Sequence, residues 1–226
     1  MLRHSVIWLL RDTTTSELRT RMLQGLAYLT VECPMVRYGD YGDDIFGGSA
    51  RSAGAPDMTR WRGRTTPPTN YDVALHLDFD DWAGHDAYSD DPAHEAVSRF
   101  NETVSWDDFT ARVDWHTESE PSGRRGRIRH TAMLVWADES APGERKRVLN
   151  SIRDLEFLPG VCAVSVGENV GRLVSDYDWI MEVIMSDRDA AEGLFTGSAY
   201  GHIMQAVAAA TKFEWTASVT SVIRGR

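Results

Sequence analysis

Apolar positions along the chain switch between two periods. "HSVIWLL" from His4 is a short run of β-branched and aromatic residues and predicts a strand. In "TSELRTRMLQGLAYL" the residues Leu18, Met22, Leu26 and Leu29 recur at helical spacing behind Thr15 or Ser16 as N-cap. "MVRYGDYG" predicts a second strand, and "YDVALHLDF" a third with alternating apolar positions. "PAHEAVSRFNETV" predicts a helix with Pro92 in its first turn, and "DFTARVDW" a fourth strand. The order is β-α-β-β-α-β.

The pattern then starts again. "LRHSVIWLL" from Leu2 pairs with "IRHTAMLVW" from Ile128, and "NYDVALHLDFDD" from Asn70 pairs with "DYDWIMEVIMSD" from Asp176. The offset of 106 runs without a gap to "FTARV" and "WTASV", whereas the earlier part carries an offset of 125 to 126 that pairs Gly42 with Gly167. The first copy therefore holds about twenty extra residues, placed between Phe46 and Thr69. The expected organisation is a first repeat at 1–119 with an inserted loop at 46–69, a Gly, Ser and Arg-rich linker at 120–127, and a second repeat at 128–226.

Each copy has the α+β, ferredoxin-like order, a four-stranded antiparallel sheet with both helices on one face. Two such sheets in one chain can cover each other's open faces, forming an intrachain dimeric α+β barrel with a cavity expected at or near the sheet-sheet interface.

Composition narrows the partners. A net charge of −10 argues against broad nucleic-acid binding. No apolar run approaches a membrane span, and the first residues read as a strand rather than a signal peptide. Two cysteines, Cys33 and Cys162, make no disulfide framework, so a cytoplasmic location is the default expectation. No glycine-rich nucleotide signature and no close pair of histidines is present, so neither a cofactor nor a metal is expected.

One segment concentrates chemistry. "HDAYSDDPAHEAVSRF" places Tyr88 about one turn before a helix whose N-cap candidate is Asp91 and whose third residue after that cap is His94. A histidine at the positive end of a helix dipole is kept neutral, the form a general base needs. Tyr88 can donate a hydrogen bond to an oxygen that gains negative charge. The other reading of such a pair is capping and packing.

These residues resemble the stress-responsive A/B barrel family of dimeric α+β barrels, in which a Tyr, two variable residues, His, Pro, a variable residue and His follow the third strand. The opening "RHSVIWLL" and the strand "YDVALHLDF" support the resemblance, which covers both repeats, more weakly the second. Within the family the first repeat is similar to olivetolic acid cyclase, which closes a polyketide by aldol condensation without a metal. That similarity implies catalytic roles for Tyr88, His94 and His4, while Asp91 replaces the intermediate His. Leu194 and Tyr200 stand opposite Tyr88 and His94 in the second copy, so a single site in the first repeat is implied.

Further candidates for substrate contact are Trp61, which lies among several arginines in an insertion that reads either as a lid or as a solvated loop, together with Asp91, His76 and Trp8. His85, His116 and His202 lack evident partners and read as surface or helix residues. The expected function is a cofactor-independent cyclase, lyase or isomerase acting on a small hydrophobic or aromatic carbonyl compound, as a monomeric pseudo-dimer or a homodimer. The alternatives are a non-catalytic hydrophobic-ligand-binding or stress-response protein, and a cofactorless monooxygenase.

Overall fold

The computed structural model describes residues 1–46, 60–61, 64–65, 70–117, 125–172 and 175–225, with backbone alone at 60–61 and 64–65. The first repeat runs β1 (Leu2–Trp8), α1 (Ser16–Glu32), β2 (Tyr38–Asp43), a two-residue pairing of β3 (Arg60–Trp61) with β4 (Arg64–Thr65), β5 (Val73–Phe79), α2 (Trp82–Ser89), α3 (Pro92–Val104) and β6 (Ala111–His116). The second runs β7 (Ile128–Leu134), α4 (Pro142–Arg153), β8 (Val161–Glu168), β9 (Trp179–Met185), α5 (Arg188–Thr196), α6 (Ser198–Ala210), β10 (Ala217–Val222) and β11 (Arg224–Gly225). The larger sheets have the orders β11-β2-β5-β1-β6 and β10-β7-β9-β8. Both are antiparallel, and the second repeat lends β11 to the first sheet.

Helix ends follow from local chemistry. Thr15 caps α1 through Leu18 N, and Asp91 caps α3 by accepting from Ala93 N at 2.7 Å. Each repeat has three α-helices where the periodicity pointed to two. The extra ones, α2 and α5, have only eight and nine residues, too few for an apolar stripe to register. Their start signals are Asp81 and Asp187, whose carboxylates accept from Gly84 N and Ala190 N.

Strand alternation sorts the core into three layers. Val6, Leu75, Leu77 and Phe79 pack under the helices of the first repeat, and Leu134, Met181 and Val183 under those of the second. Ile7, Val113, Met133, Ile180 and Val219 fill the space between the sheets. Tyr71 and Tyr177, 106 positions apart, meet hydroxyl to hydroxyl at 3.5 Å, as equivalent residues do on a pseudo-two-fold axis. Gly42 and Gly167 make the same allowance at two seams: a Cβ would stand 2.3 Å from Val222 O in the one and 2.6 Å from the Trp115 ring in the other.

The inter-sheet layer also holds charge. Arg3 pairs with Asp78 at 2.6 Å and with Glu182 of the opposite sheet at 2.6 Å, and Arg129 reaches across to Asp40 at 2.9 Å. His76 belongs here, its Nδ1 lying 3.0 Å from both Glu182 and Ser5. Each cation is enclosed by carboxylates, which makes such deep burial tolerable.

Candidate functional site

Among the described residues, the cavity that gathers the candidate side chains lies between the first sheet and its own helices rather than between the two sheets, where the barrel argument put it. The sheet-sheet layer is filled by side chains and ion pairs. The cavity has a volume of about 120 Å³, and its lining includes His4, Val6, Trp8, His85, Tyr88 and His94. Strand β1 supplies three of these because His4, Val6 and Trp8 alternate onto one face.

Tyr88 is buried in the last turn of α2, a separate helix from that of His94, and the two rings are 4.4 Å apart. Burial pushes the Tyr88 phenol far above its ordinary value, so it remains an O–H donor. His94 Nδ1 is 3.1 Å from Ser89 O. A carbonyl only accepts, so the proton resides on Nδ1 and Nε2 keeps its lone pair. Burial lowers the His94 pKa, and the proximity of His4 and His85 lowers it further, against the Ser89 bond.

Two residues that sequence reasoning did not select join this group. Asp114 of β6 stands opposite His4 in the ladder and its Oδ1 lies 2.6 Å from His4 Nδ1. His85, expected at the surface, is buried with its ring 5.2 Å from that of His4 and its Nε2 3.6 Å from Asp114 Oδ1. Burial opposes charge on both partners, yet the contacts prevail: the His85 pKa is raised by Asp114 and Asp86, and that of Asp114 is held well below the usual range by His4 and His85. Among the described residues, His4, His85 and Asp114 are the group able to hold a metal ion, with ligand atoms within 4.8 Å of one another.

The remaining candidates divide. Trp8 lines the cavity, Asp91 caps α3 instead of lining it, and His76 faces the inter-sheet layer on the opposite side of the sheet. The Trp61 side chain lies outside the described residues, as does most of the insertion.

In the second repeat the same ladder positions carry other chemistry. His130 answers to His4 but meets Thr220 at 2.9 Å where His4 meets Asp114. The Phe195 ring lies 5.0 Å from His130, and Tyr200 lies 5.4 Å from Phe195. Ala191 replaces His85 and Phe195 replaces Ser89 at the offset of 106.

With this geometry in view, comparison with known families is decisive for the first half. Residues 2–113 match the family described as Stress responsive A/B Barrel Domain. The first repeat belongs to that family. No curated protein resembles the chain closely enough to count as a match. Among solved structures, an anthrone oxidase-like protein aligns over 99% of this chain and 92% of its own, with 12% identity and a TM-score of 0.66. A protein from Lactobacillus acidophilus NCFM described as a putative monooxygenase aligns over 98% and 93%, with 10% identity and a TM-score of 0.56. One from Fusobacterium nucleatum, also described as a putative monooxygenase, aligns over 99% and 91%, with 10% identity and a TM-score of 0.54. At such identities the likeness concerns the fold, which this chain shares with them over nearly its whole length. No described helix is long and apolar enough to cross a membrane.

Proposed function

We propose that the first repeat is a cofactor-independent enzyme centre for enolate chemistry on a small hydrophobic or aromatic carbonyl compound, a cyclase of the polyketide type or a related lyase or isomerase. The observation that carries this reading is the His94–Ser89 hydrogen bond, which turns an unprotonated Nε2 toward chemistry beside the Tyr88 ring. His94 removes a proton from carbon next to the carbonyl. The Tyr88 hydroxyl donates to the oxygen where negative charge collects, in surroundings dry enough to strengthen that bond. Asp114 orients His4, whose ring lies 6.2 Å from that of Tyr88, as a further polar contact for the substrate.

At about 120 Å³ the cavity has room for roughly four waters at ~30 Å³ each, so a ring-sized substrate has to widen it on entry. The duplicated chain would work as a monomeric pseudo-dimer or pair as a homodimer, in the cytoplasm.

The names of the structural neighbours favour a second reading, a cofactorless monooxygenase with the same base and donor. One experiment separates the two: poly-β-keto and aromatic carbonyl compounds are incubated with the protein in air and under nitrogen, and products are followed by mass spectrometry. Isomeric or dehydrated products formed equally without oxygen support the enolate reading. Products that gain oxygen and require air support the monooxygenase, and tight binding with no product in either condition points to a ligand carrier.

A further inference from the structure

We propose that His4, His85 and Asp114 form a binding site for one transition-metal dication of the zinc type in the wall of this cavity. The inference depends on these ligands alone: it leaves the His94–Tyr88 pair of the enolate reading untouched, but makes His4 a metal ligand in place of a direct substrate contact and gives that centre a metal.

The three groups come from β1, α2 and β6, so no local spacing in the chain announces them. Their ligand atoms converge within 4.8 Å. A second observation concerns His85 itself. It is 6% exposed, walled by the rings of Phe79 and Trp82 at 5.5 and 5.2 Å, and neither ring nitrogen has a hydrogen-bond partner. Its nearest carboxylate oxygens, on Asp86 and Asp114, both stand 3.6 Å away, beyond hydrogen-bond range. The two carboxylates meet this buried imidazole as ion pairs only, so both of its nitrogens remain short of a hydrogen bond and there is a gap for a further group to fill.

A metal ion fits that gap. Two ligands each ~2.1 Å from one ion at a tetrahedral angle are about 3.4 Å apart, close to the 3.6 Å between His85 Nε2 and Asp114 Oδ1. The Nδ1 side of His85 faces Asp86, which is itself fixed by Arg172 at 3.0 Å. This is the carboxylate–histidine–metal order that orients ligating imidazoles. His4 and Asp114 now share a proton at 2.6 Å; the ion takes that proton's place, the proton leaves to solvent, and the carboxylate turns to make room. Two imidazoles and one carboxylate suit zinc-type ions over magnesium or calcium, and three protein ligands leave a coordination position for a ligand oxygen. The second repeat, with Ala191 and Thr220 at the matching positions, lacks the set.

The test is calorimetric titration of Zn²⁺ into chelator-treated full-length protein, with thermal melts recorded with and without the ion. One equivalent should bind and raise Tm. His85→Ala should weaken binding at least about 100-fold, and Asp86→Asn, a change at an exposed position that leaves the fold alone, by about 10-fold. Absence of a saturable equivalent in the wild type overturns the proposal. So does binding that both variants retain, since it would belong to exposed groups such as His116, His202 or Cys162. Should His85→Ala fail to fold, the Asp86→Asn titration decides.

Discussion

The two repeats share a sheet order and a first-strand histidine, yet among the described residues the cavity of the first is lined by that histidine, His4, whereas the cavity of the second, lined by Leu158, Leu194 and Tyr200, does not reach His130. In the first, His4 faces Asp114 and His85, and small Ser89 leaves the space between sheet and helices free. In the second, His130 faces neutral Thr220 and the Phe195 ring stands against it. The same scaffold thus holds a carboxylate-paired group that lines a cavity in one half and a packed, neutral one in the other. Duplication lets one half keep the chemistry while the other serves as its structural partner, covering the open sheet face and contributing β11, Glu182 and Arg129.

The largest effect expected from breaking this asymmetry is catalytic. His94→Ala should lower turnover by about 10²–10⁴-fold with ligand affinity largely retained, whereas Tyr200→Ala at the matching position should leave turnover unchanged; steady-state kinetics beside equilibrium binding checks both. Next in size is the shared layer. Glu182→Ala removes the carboxylate that Arg3, Arg129 and His76 share, leaving the arginines with Asp78 and Asp40 alone, and should cost up to about 3–5 kcal/mol in denaturant unfolding.

Acid should act unequally on the halves. Burial lowers the His130 pKa from the usual 6.5 of a histidine to about 4. The unfolded chain therefore binds this proton first as pH falls, so His130 costs nothing above its unfolded value, and stability drops between about 6.5 and 4 by up to ~3 kcal/mol. His130→Gln should flatten that part of a stability–pH curve. The pKa of His94 is lowered too, so activity should persist below pH 6.5 before its acid limb falls. The smallest effect is expected from Phe195→Ala. This ring is half-buried, so the loss should be about 1–3 kcal/mol, below that for a fully buried Phe, and the gain a new apolar pocket measurable with a hydrophobic dye.

How much of this was legible in the sequence depended on distance along the chain. The repeat offsets, the strand face of β5 and the Tyr88–His94 pair are local patterns, and the cap of α3 by Asp91 follows from neighbouring residues. His85 escaped because α2 is short and interrupted by Gly84, so nothing marked which way its side chains turn. Asp114 alternates with Val113 and Trp115 in β6, a usable signal that it shares a face with the helices, but its partner lies 110 positions away. Alternation likewise placed His76 opposite Leu75 and Leu77 without saying which face of the sheet carried the helices; the ion pairs with the other repeat answer that. The same missing information moved the expected cavity from beneath the helices to the sheet interface.

The account's central claim, that the working cavity is the one beneath the helices of the first repeat, is tested most directly by importing the second repeat's plug. Ser89→Phe places there the residue that Phe195 is in the second half, while the Ser89 carbonyl that holds His94 is retained. Binding of an aromatic carbonyl ligand should be abolished in this variant while its thermal melt stays cooperative. Undiminished binding in a folded Ser89→Phe protein would contradict the account and place the ligand elsewhere in the barrel.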